Sequence, residues 1–230
     1  MMHYAWLYLS VFVFFVWLVV YVFLPKKHSR KEMLVVSFWT ALLGLTEPLF
    51  VPAYWNPPSL FDLAQRTGFD LESLLFAFAV GGIAVAAYET AFNPRHKKIS
   101  RHERHQHWFH VWAVVSAPLV FILLLLTTNW NPIYSASFAL LVGFFTTWYC
   151  RPDLVTKMFV SGLFFTAMYF ISFFSLNLAF PGYTEAVWNL SALSGVLITG
   201  VPLEELLWAF TFGLYWSSVY EHFGWYRTQA

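Results

Sequence analysis

Long apolar stretches recur along the whole chain, and they constrain its fold more than any other feature. A bilayer core about 30 Å thick requires roughly 20 predominantly apolar residues per helix. Only 11% of the 230 residues are charged and 59% are hydrophobic, whereas an ordinary soluble domain is about one-quarter charged. The sequence therefore predicts an all-α, polytopic membrane protein with about seven transmembrane helices. The predicted spans are Tyr4–Leu24, Leu34–Val51, Leu71–Thr90, Phe109–Thr127, Ile133–Tyr149, Lys157–Leu176 and Leu203–Tyr220.

The basic residues predict an orientation. Of the 13 lysines and arginines, all except Arg66 follow the first, third, fifth or seventh span. Because cytoplasmic loops carry the excess of Lys and Arg, we expect the N-terminus outside and the C-terminus in the cytoplasm. The net charge of +1 gives no indication of a nucleic-acid partner, and we expect the basic loops to face anionic lipid headgroups.

Two stretches of the sequence match at a constant offset of 132 residues. TGFDLESLLFAFAVGGIAVAAYE, Thr67–Glu89, and TGVPLEELLWAFTFGLYWSSVYE, Thr199–Glu221, share eleven identical positions without a gap. Upstream, Trp55 and Asn56 correspond to Trp188 and Asn189, and each pair follows a Pro-x-Tyr sequence. The match predicts an internal repeat of three helices.

The repeat predicts the organisation of the chain. Residues 1–92 form the first three-helix unit, 132–230 form the second, and 93–131 supply a basic loop and one extra helix. With that extra helix, corresponding spans lie four apart and run in the same direction. Such parallel repeats are related by an axis along the membrane normal.

Two adjacent carboxylates, Glu204 and Glu205, stand at the start of the last span, and Glu72 holds the corresponding place in the first copy. Acids in a first helical turn, with Pro202 beside them and Thr199 or Gly200 as a cap, are ordinary helix-start residues. However, carboxylates at membrane depth are costly and usually functional. Burial and a neighbouring carboxylate both favour the protonated form, so the pair could also supply a proton.

Aromatic and polar side chains near these acids are candidates for a substrate site. Trp208 and Phe76 lie one turn after Glu204 and Glu72, where a ring could stabilise a cation or simply pack. Asn56 and Asn189 could orient a carboxyl group or cap a turn. We expect Glu89 and Glu221, at the opposite helix ends, to snorkel or bind loops. The remaining candidates are Trp55, Trp188, Glu47, Glu185 and Pro202.

The stretch from Gly182 to Glu221 resembles the lycopene cyclase domain of membrane-integral carotenoid cyclases, which occur as two-chain bacterial enzymes and as fused fungal domains. The resemblance is carried by a Pro-x-Glu-Glu motif that opens a transmembrane helix, here Pro202-Leu203-Glu204-Glu205, after a segment with Trp and Asn. The first copy reads Asp70-Leu71-Glu72-Ser73, without the Pro and the second Glu.

The resemblance implies an isomerase-type, redox-neutral step of carotenoid biosynthesis. An acid protonates the terminal double bond of a linear carotenoid, an internal double bond closes a six-membered ring, and a base removes a proton. Glu204, Glu205 and Glu72 are then the candidate catalytic residues. Nothing indicates a bound flavin or nicotinamide, since no strands are predicted and no G-x-G-x-x-G is present.

The sequence disfavours a metal site, a disulfide and an intramembrane protease, and it leaves one alternative function open. The cluster HERHQHWFH, with His102, His105, His107 and His110, could bind a metal but is more typical of a basic interfacial loop, so no metal site is predicted. Cys150 is the only cysteine, which rules out an intrachain disulfide and a multi-thiolate zinc cluster. Intramembrane proteases with paired Glu carry an Arg where this chain has Ala209. A non-catalytic protein that binds or moves an isoprenoid or lipid, with the acids as caps, remains the alternative.

Overall fold

The computed structural model describes residues 2–104 and 109–229, and within them helices predominate. Short 3-10 turns at Met2–Tyr4, Leu42–Leu49 and Pro152–Leu154 extend the first, second and eighth helices. The helices are α1 (Ala5–Phe23), α2 (Lys27–Ala41), α3 (Leu63–Thr67), α4 (Leu71–Phe92), α5 (Arg101–Arg104), α6 (His110–Thr127), α7 (Pro132–Cys150), α8 (Val155–Ala179), α9 (Tyr183–Val187), α10 (Leu203–Trp216) and α11 (Val219–Gly224). The strands are β1 (Arg95–Lys98), β2 (Leu197–Ile198), β3 (Val201–Pro202) and β4 (Tyr226–Gln229).

The long apolar helices confirm the prediction of an all-α, multi-pass membrane protein. Six described segments are long and apolar enough to cross a membrane, and they match the first six predicted spans. The seventh, Leu203–Tyr220, is divided: α10 has 14 residues, about 21 Å of helix, and a turn at Ser217 and Ser218 separates it from α11. The six segments are Met2–Phe23, Lys27–Leu49, Leu71–Phe92, His110–Thr127, Pro132–Cys150 and Pro152–Ala179.

The two repeated helices begin differently. The Asp70 side chain caps the N-terminus of α4 by accepting a hydrogen bond of 2.5 Å from the Ser73 amide. The prediction that Thr199 or Gly200 caps α10 is wrong. These two residues, at φ 50° and 86°, form the turn of a small hairpin in which β2 pairs with β3. Pro202 is the residue before the helix, and no side chain caps it. The expectation of no strands is thus wrong for this hairpin and for the pair β1–β4.

Within each half of the chain, the third helix packs against the other two. α4 contacts α1 and α2, and α10 contacts α7 and α8. Gly81 faces Thr40 of α2 so closely that a Cβ would collide with it, and Gly213 lies in the same way against Gly162 of α8. Gly81 and Gly213 are equivalent positions of the repeat, so the shared glycine is explained by close approach of helices, as small residues permit in membranes.

The two halves are joined by backbone pairing at both ends of the molecule. At the tryptophan end, Trp55 pairs with Trp188 in an antiparallel bridge, with bonds of 2.9 Å from the Asn56 amide to Val187 O and from the Asn189 amide to Tyr54 O. At the basic end, β1 pairs with β4 and His96 lies opposite Thr228.

Each of these pairings joins residues that correspond in the repeat. Trp55 corresponds to Trp188, and His96 corresponds to Thr228 at the offset of 132. A two-fold axis through both ends would produce this pattern, because a residue on such an axis meets its own equivalent. α4 and α10 both run from the tryptophan end to the basic end, and that the two halves are parallel repeats stays a prediction.

The outer surface of the long helices is apolar. Phe15 of α1, Leu126 of α6 and Leu163 of α8 are 59%, 80% and 63% exposed. Large exposed apolar surfaces of this kind mark contact with a membrane or a partner, and the six long helices assign it here to lipid.

Candidate active site

An elongated cavity of about 1020 Å³ runs through the molecule, lined by residues of α2, α4, α6, α7, α8 and α10. Its lining extends from Trp55 at the tryptophan end to Lys98 and Tyr226 at the basic end. Trp39 and Leu42 both line it and are exposed on the apolar exterior, so the cavity opens toward lipid. Its volume lies at the upper limit of ordinary ligand pockets, and its shape suits a long apolar molecule.

Glu205 is the acid of the Pro-x-Glu-Glu motif that lines this cavity. It is 4% exposed and accepts three hydrogen bonds: 2.5 Å from the Tyr54 hydroxyl, 2.5 Å from the Tyr169 hydroxyl and 2.9 Å from Trp188 Nε1. The first turn of α10 positions the carboxyl group, α8 supplies Tyr169, and the paired loops of the tryptophan end supply Tyr54 and Trp188. Both halves of the chain therefore build this site.

The three donors to Glu205 are all uncharged. Burial and the neighbouring Glu205 raise the pKa of Tyr54, so its hydroxyl keeps its proton. A tyrosine hydroxyl can accept as well as donate, whereas the Trp188 indole can only donate. The surroundings can thus accommodate Glu205 as a carboxylate with three donors, or as a carboxylic acid that donates to a tyrosine oxygen.

Glu204 and Glu72 occupy a different kind of site. Glu204 Oε1 accepts 2.6 Å from the Tyr134 hydroxyl and 2.8 Å from the Ser194 amide. At the corresponding position, Glu72 Oε1 accepts 2.6 Å from the Leu60 amide. Both are buried, both bind the loop that precedes their helix, and neither is among the cavity-lining residues.

Aromatic rings surround the Glu205 end of the cavity. Trp208, Phe76 and Trp55 all line it, and their role in binding a substrate stays a prediction. The Tyr169 ring lies 5.6 Å from Trp208 and 6.1 Å from Phe76, centroid to centroid. Such faces stabilise a nearby cation electrostatically.

Among the other polar candidates, Glu47 alone lines the cavity, where it is 8% exposed. Asn56, Asn189 and Glu185 are exposed, and the Asn189 side chain donates 3.3 Å to Ala53 O within the paired loops. Their positions favour the turn or cap interpretation. Pro202 is buried ahead of α10 but is not among the cavity-lining residues.

Of the two expectations for Glu89 and Glu221, snorkelling is wrong, whereas both do contact His96 of the predicted loop. Both are buried at the basic end and bind the ammonium of Lys157 of α8, which is 1% exposed and also bonds Glu32 at 3.0 Å. His96 of β1 lies 3.2 Å from Glu221 and 3.3 Å from Glu89. Burial opposes its protonation, but the hydrogen bonds to these carboxylates prevail and raise the pKa of His96 to about 9.

Sequence reasoning missed several of these residues. Tyr54 was visible only as part of the repeated Pro-x-Tyr, and Tyr169 stands in an apolar helix with no distinguishing signal. Lys157 was counted only as a loop cation. Of the predicted histidine cluster, His105 and His107 lie outside the described residues, as does the side chain of His102.

Comparison with known proteins bears on the second half of the chain. Residues 131–223 match the family model described as lycopene cyclase. No curated protein and no solved structure matches the chain. The matched range runs from the start of α7 into α11 and contains Glu205, Tyr169 and Trp188, whereas Tyr54 precedes it. Over residues 131–223, this chain is therefore similar to the lycopene cyclase domain family.

Proposed function

We propose that this protein is a membrane carotenoid cyclase that closes the end ring of a linear polyene, with Glu205 as the acid that starts the reaction. The observation that carries the proposal is the position of Glu205: it is buried, lines the long apolar cavity and, among the described residues, is hydrogen-bonded only to uncharged groups. The proposal narrows the three candidate acids to one, since Glu204 and Glu72 bind loop amides outside the cavity lining.

The proposed reaction balances without a redox partner. The Glu205 carboxylic acid transfers its proton to the terminal carbon–carbon double bond, leaving a tertiary cation on the polyene and a carboxylate on the protein. An internal double bond attacks the cation and forms the ring carbon–carbon bond. Loss of a proton from the carbon beside the new cation restores a double bond, so substrate and product are isomers.

The residues around Glu205 can stabilise both charged species of this reaction, the carboxylate and the polyene cation. Tyr54, Tyr169 and Trp188 can donate to the carboxylate as it forms. The faces of Trp208 and Phe76 border the same space and can stabilise the cation. An apolar lining excludes water that would otherwise trap the cation as an alcohol.

We assign the final proton removal to Glu47. It is the second carboxyl group among the cavity-lining residues, and one of its oxygens, Oε1, has no hydrogen-bond partner among the described residues. A base must reach the proton that it removes, which favours Glu47 over Glu204 and Glu72.

The test separates the acid from its neighbour in the sequence. Parent, Glu205→Gln and Glu204→Gln are expressed in cells that accumulate a linear C40 carotenoid, with membrane levels of the protein matched, and the pigments are separated. A carboxamide cannot protonate an alkene, so we expect Glu205→Gln to lower cyclisation by at least about 100-fold, the usual contribution of a general acid. Glu204→Gln should retain cyclic product, because Gln can still accept from the Ser194 amide.

Two outcomes would contradict the proposal. Cyclic ends formed at the parent rate by Glu205→Gln would remove Glu205 as the acid. If the parent converts no linear C40 carotenoid, the cyclase proposal is wrong and the non-catalytic isoprenoid-binding protein takes its place.

A further inference from the structure

Three potential metal ligands from separate helices converge at the basic end. His110 opens α6, Cys150 ends α7, and His222 lies in α11. One ligand atom from each lies within 4.8 Å of the others, and Cys150 Sγ lies 3.9 Å from His110 Nδ1. Ligand atoms around a tetrahedral zinc ion stand about 3–4 Å apart, so a small closure of this group would complete a three-ligand site.

The surroundings of the group resemble those of a metal site. Cys150 and His222 are buried. Thr147 Oγ1 lies 3.4 Å from Nδ1 of His222, and a hydrogen bond to one ring nitrogen fixes the tautomer that presents the other to a metal. The His110 ring stacks on Trp225 at a centroid distance of 3.8 Å, which holds its plane.

A second cluster of potential ligands at this end consists of Glu32, Glu89, His96 and Glu221. The ammonium of Lys157 bonds all three of its carboxylates, so a cation already occupies that centre. In the group of His110, Cys150 and His222 the donors are a thiol and two imidazoles, the set that selects zinc over magnesium or calcium.

We propose that His110, Cys150 and His222 bind one zinc ion, which fastens α6 to α7 and α11. Binding releases the Cys150 thiol proton to solvent, and the thiolate and two neutral imidazoles hold the metal. α6 packs mainly against α7 and buries only Ala113 and Ala117, so the ion would add a fixed link from this helix to α11. Val114 and Phe121 of the same helix line the cavity, so the ion would fix one cavity wall.

The test uses the unique thiol. Full-length protein in detergent is stripped of metal and titrated with Co²⁺, and the near-ultraviolet thiolate-to-cobalt charge-transfer absorption is recorded. Because Cys150 is the only cysteine, this absorption can arise from no other residue. We expect saturation at one Co²⁺ per chain, displacement by Zn²⁺, complete loss of the band in Cys150→Ser, and at least about tenfold weaker binding in His222→Asn. His3→Asn, a change at an exposed histidine far along the chain, should behave as the parent.

A parent protein without the cobalt–thiolate band, or a Cys150→Ser variant that binds Zn²⁺ as tightly as the parent, would overturn the proposal. If Cys150→Ser does not fold, alkylation of the parent by N-ethylmaleimide decides. Zn²⁺ should slow the modification of Cys150 at least about tenfold, and an unchanged rate would count against the site. Neither readout depends on cyclase activity.

Discussion

Buried carboxyl groups lie at both ends of the duplicated helices, and the two ends differ in what binds them. At the tryptophan end, Glu205 accepts from two tyrosines and a tryptophan, all uncharged, beside the cavity. At the basic end, Glu89 and Glu221 bind the ammonium of Lys157. Burial alone therefore does not identify an acid–base group. A carboxyl among uncharged donors can exchange a proton with a substrate, whereas carboxylates around a buried ammonium form an ion pair between the two halves.

The largest expected effect on stability lies at the basic end. Lys157→Met would remove the ammonium that binds three buried carboxylates, and removing one partner of a buried ion pair typically costs about 3–5 kcal/mol. We expect a pronounced loss of folded protein, measured as thermal unfolding of the detergent-solubilised chain by size-exclusion chromatography.

Two controls define this effect. Lys97→Met removes an exposed lysine and should leave the unfolding midpoint unchanged, and Glu205→Gln should change activity with little change in the midpoint. Equal destabilisation by Lys157→Met and Glu205→Gln would contradict the distinction between the two ends.

A smaller effect is expected when one uncharged donor to Glu205 is removed. Tyr169→Phe deletes the 2.5 Å hydrogen bond to Oε2, and a hydrogen bond to a charged group contributes about 1.5–3 kcal/mol. We therefore expect cyclisation to fall at least about tenfold while the protein stays folded. The measurement is the initial rate of cyclic product at matched membrane levels.

Tyr134→Phe is the matched control for that variant. It removes the 2.6 Å hydrogen bond to Glu204 instead, and its rate should stay within about a factor of two of the parent. A larger loss in Tyr134→Phe than in Tyr169→Phe would transfer the catalytic role to Glu204.

The third expected effect is a pH dependence of stability at the basic end. The carboxylates around His96 raise its pKa from 6.5 to about 9. Because the folded state binds this proton more tightly than the unfolded state, the stabilisation is fully present below pH 6.5 and is lost as the pH rises through 9. Unfolding midpoints recorded from pH 6 to pH 10 should decline in the parent, and the decline should be smaller in His96→Asn. Identical declines in both proteins would show that His96 is not the responsible group.

Much of the architecture could be predicted because it depends on patterns of neighbouring residues in the sequence. Apolar runs located six spans, and the gapless repeat contains the shared glycine, Gly81 and Gly213, at which the structure shows close helix contacts. The orientation of the chain relative to the cytoplasm and the superposition of the two halves by a rotation of about 180° stay predictions. The short α10 escaped prediction, because the apolar run continues through Ser217 and Ser218 while the helix does not.

The site was only partly predictable, since its geometry is assembled from distant segments. The motif located Glu204 and Glu205 but could not distinguish them, because neighbours on a helix point about 100° apart. What distinguishes Glu205 from Glu204 is its contact with two tyrosines. Tyr54 lies 151 residues from Glu205 in the chain, and Tyr169 stands in an otherwise apolar helix. Lys157 was misjudged for the same reason: its three carboxylate partners lie 64 to 125 residues away.

The two copies of the repeated sequence differ at the position of the proposed catalytic acid. The repeat equivalent of Glu205 is Ser73, which lines the same cavity and cannot donate a proton to an alkene. On the proposed chemistry each chain has one acid, while a symmetrical linear carotenoid has two ends. The two rings of a single substrate molecule must then close in separate binding events. Between these events the polyene is released and binds again in the reverse orientation. Turnover of this kind is distributive, so one-ringed product should accumulate first and two-ringed product should follow only as the linear substrate runs low.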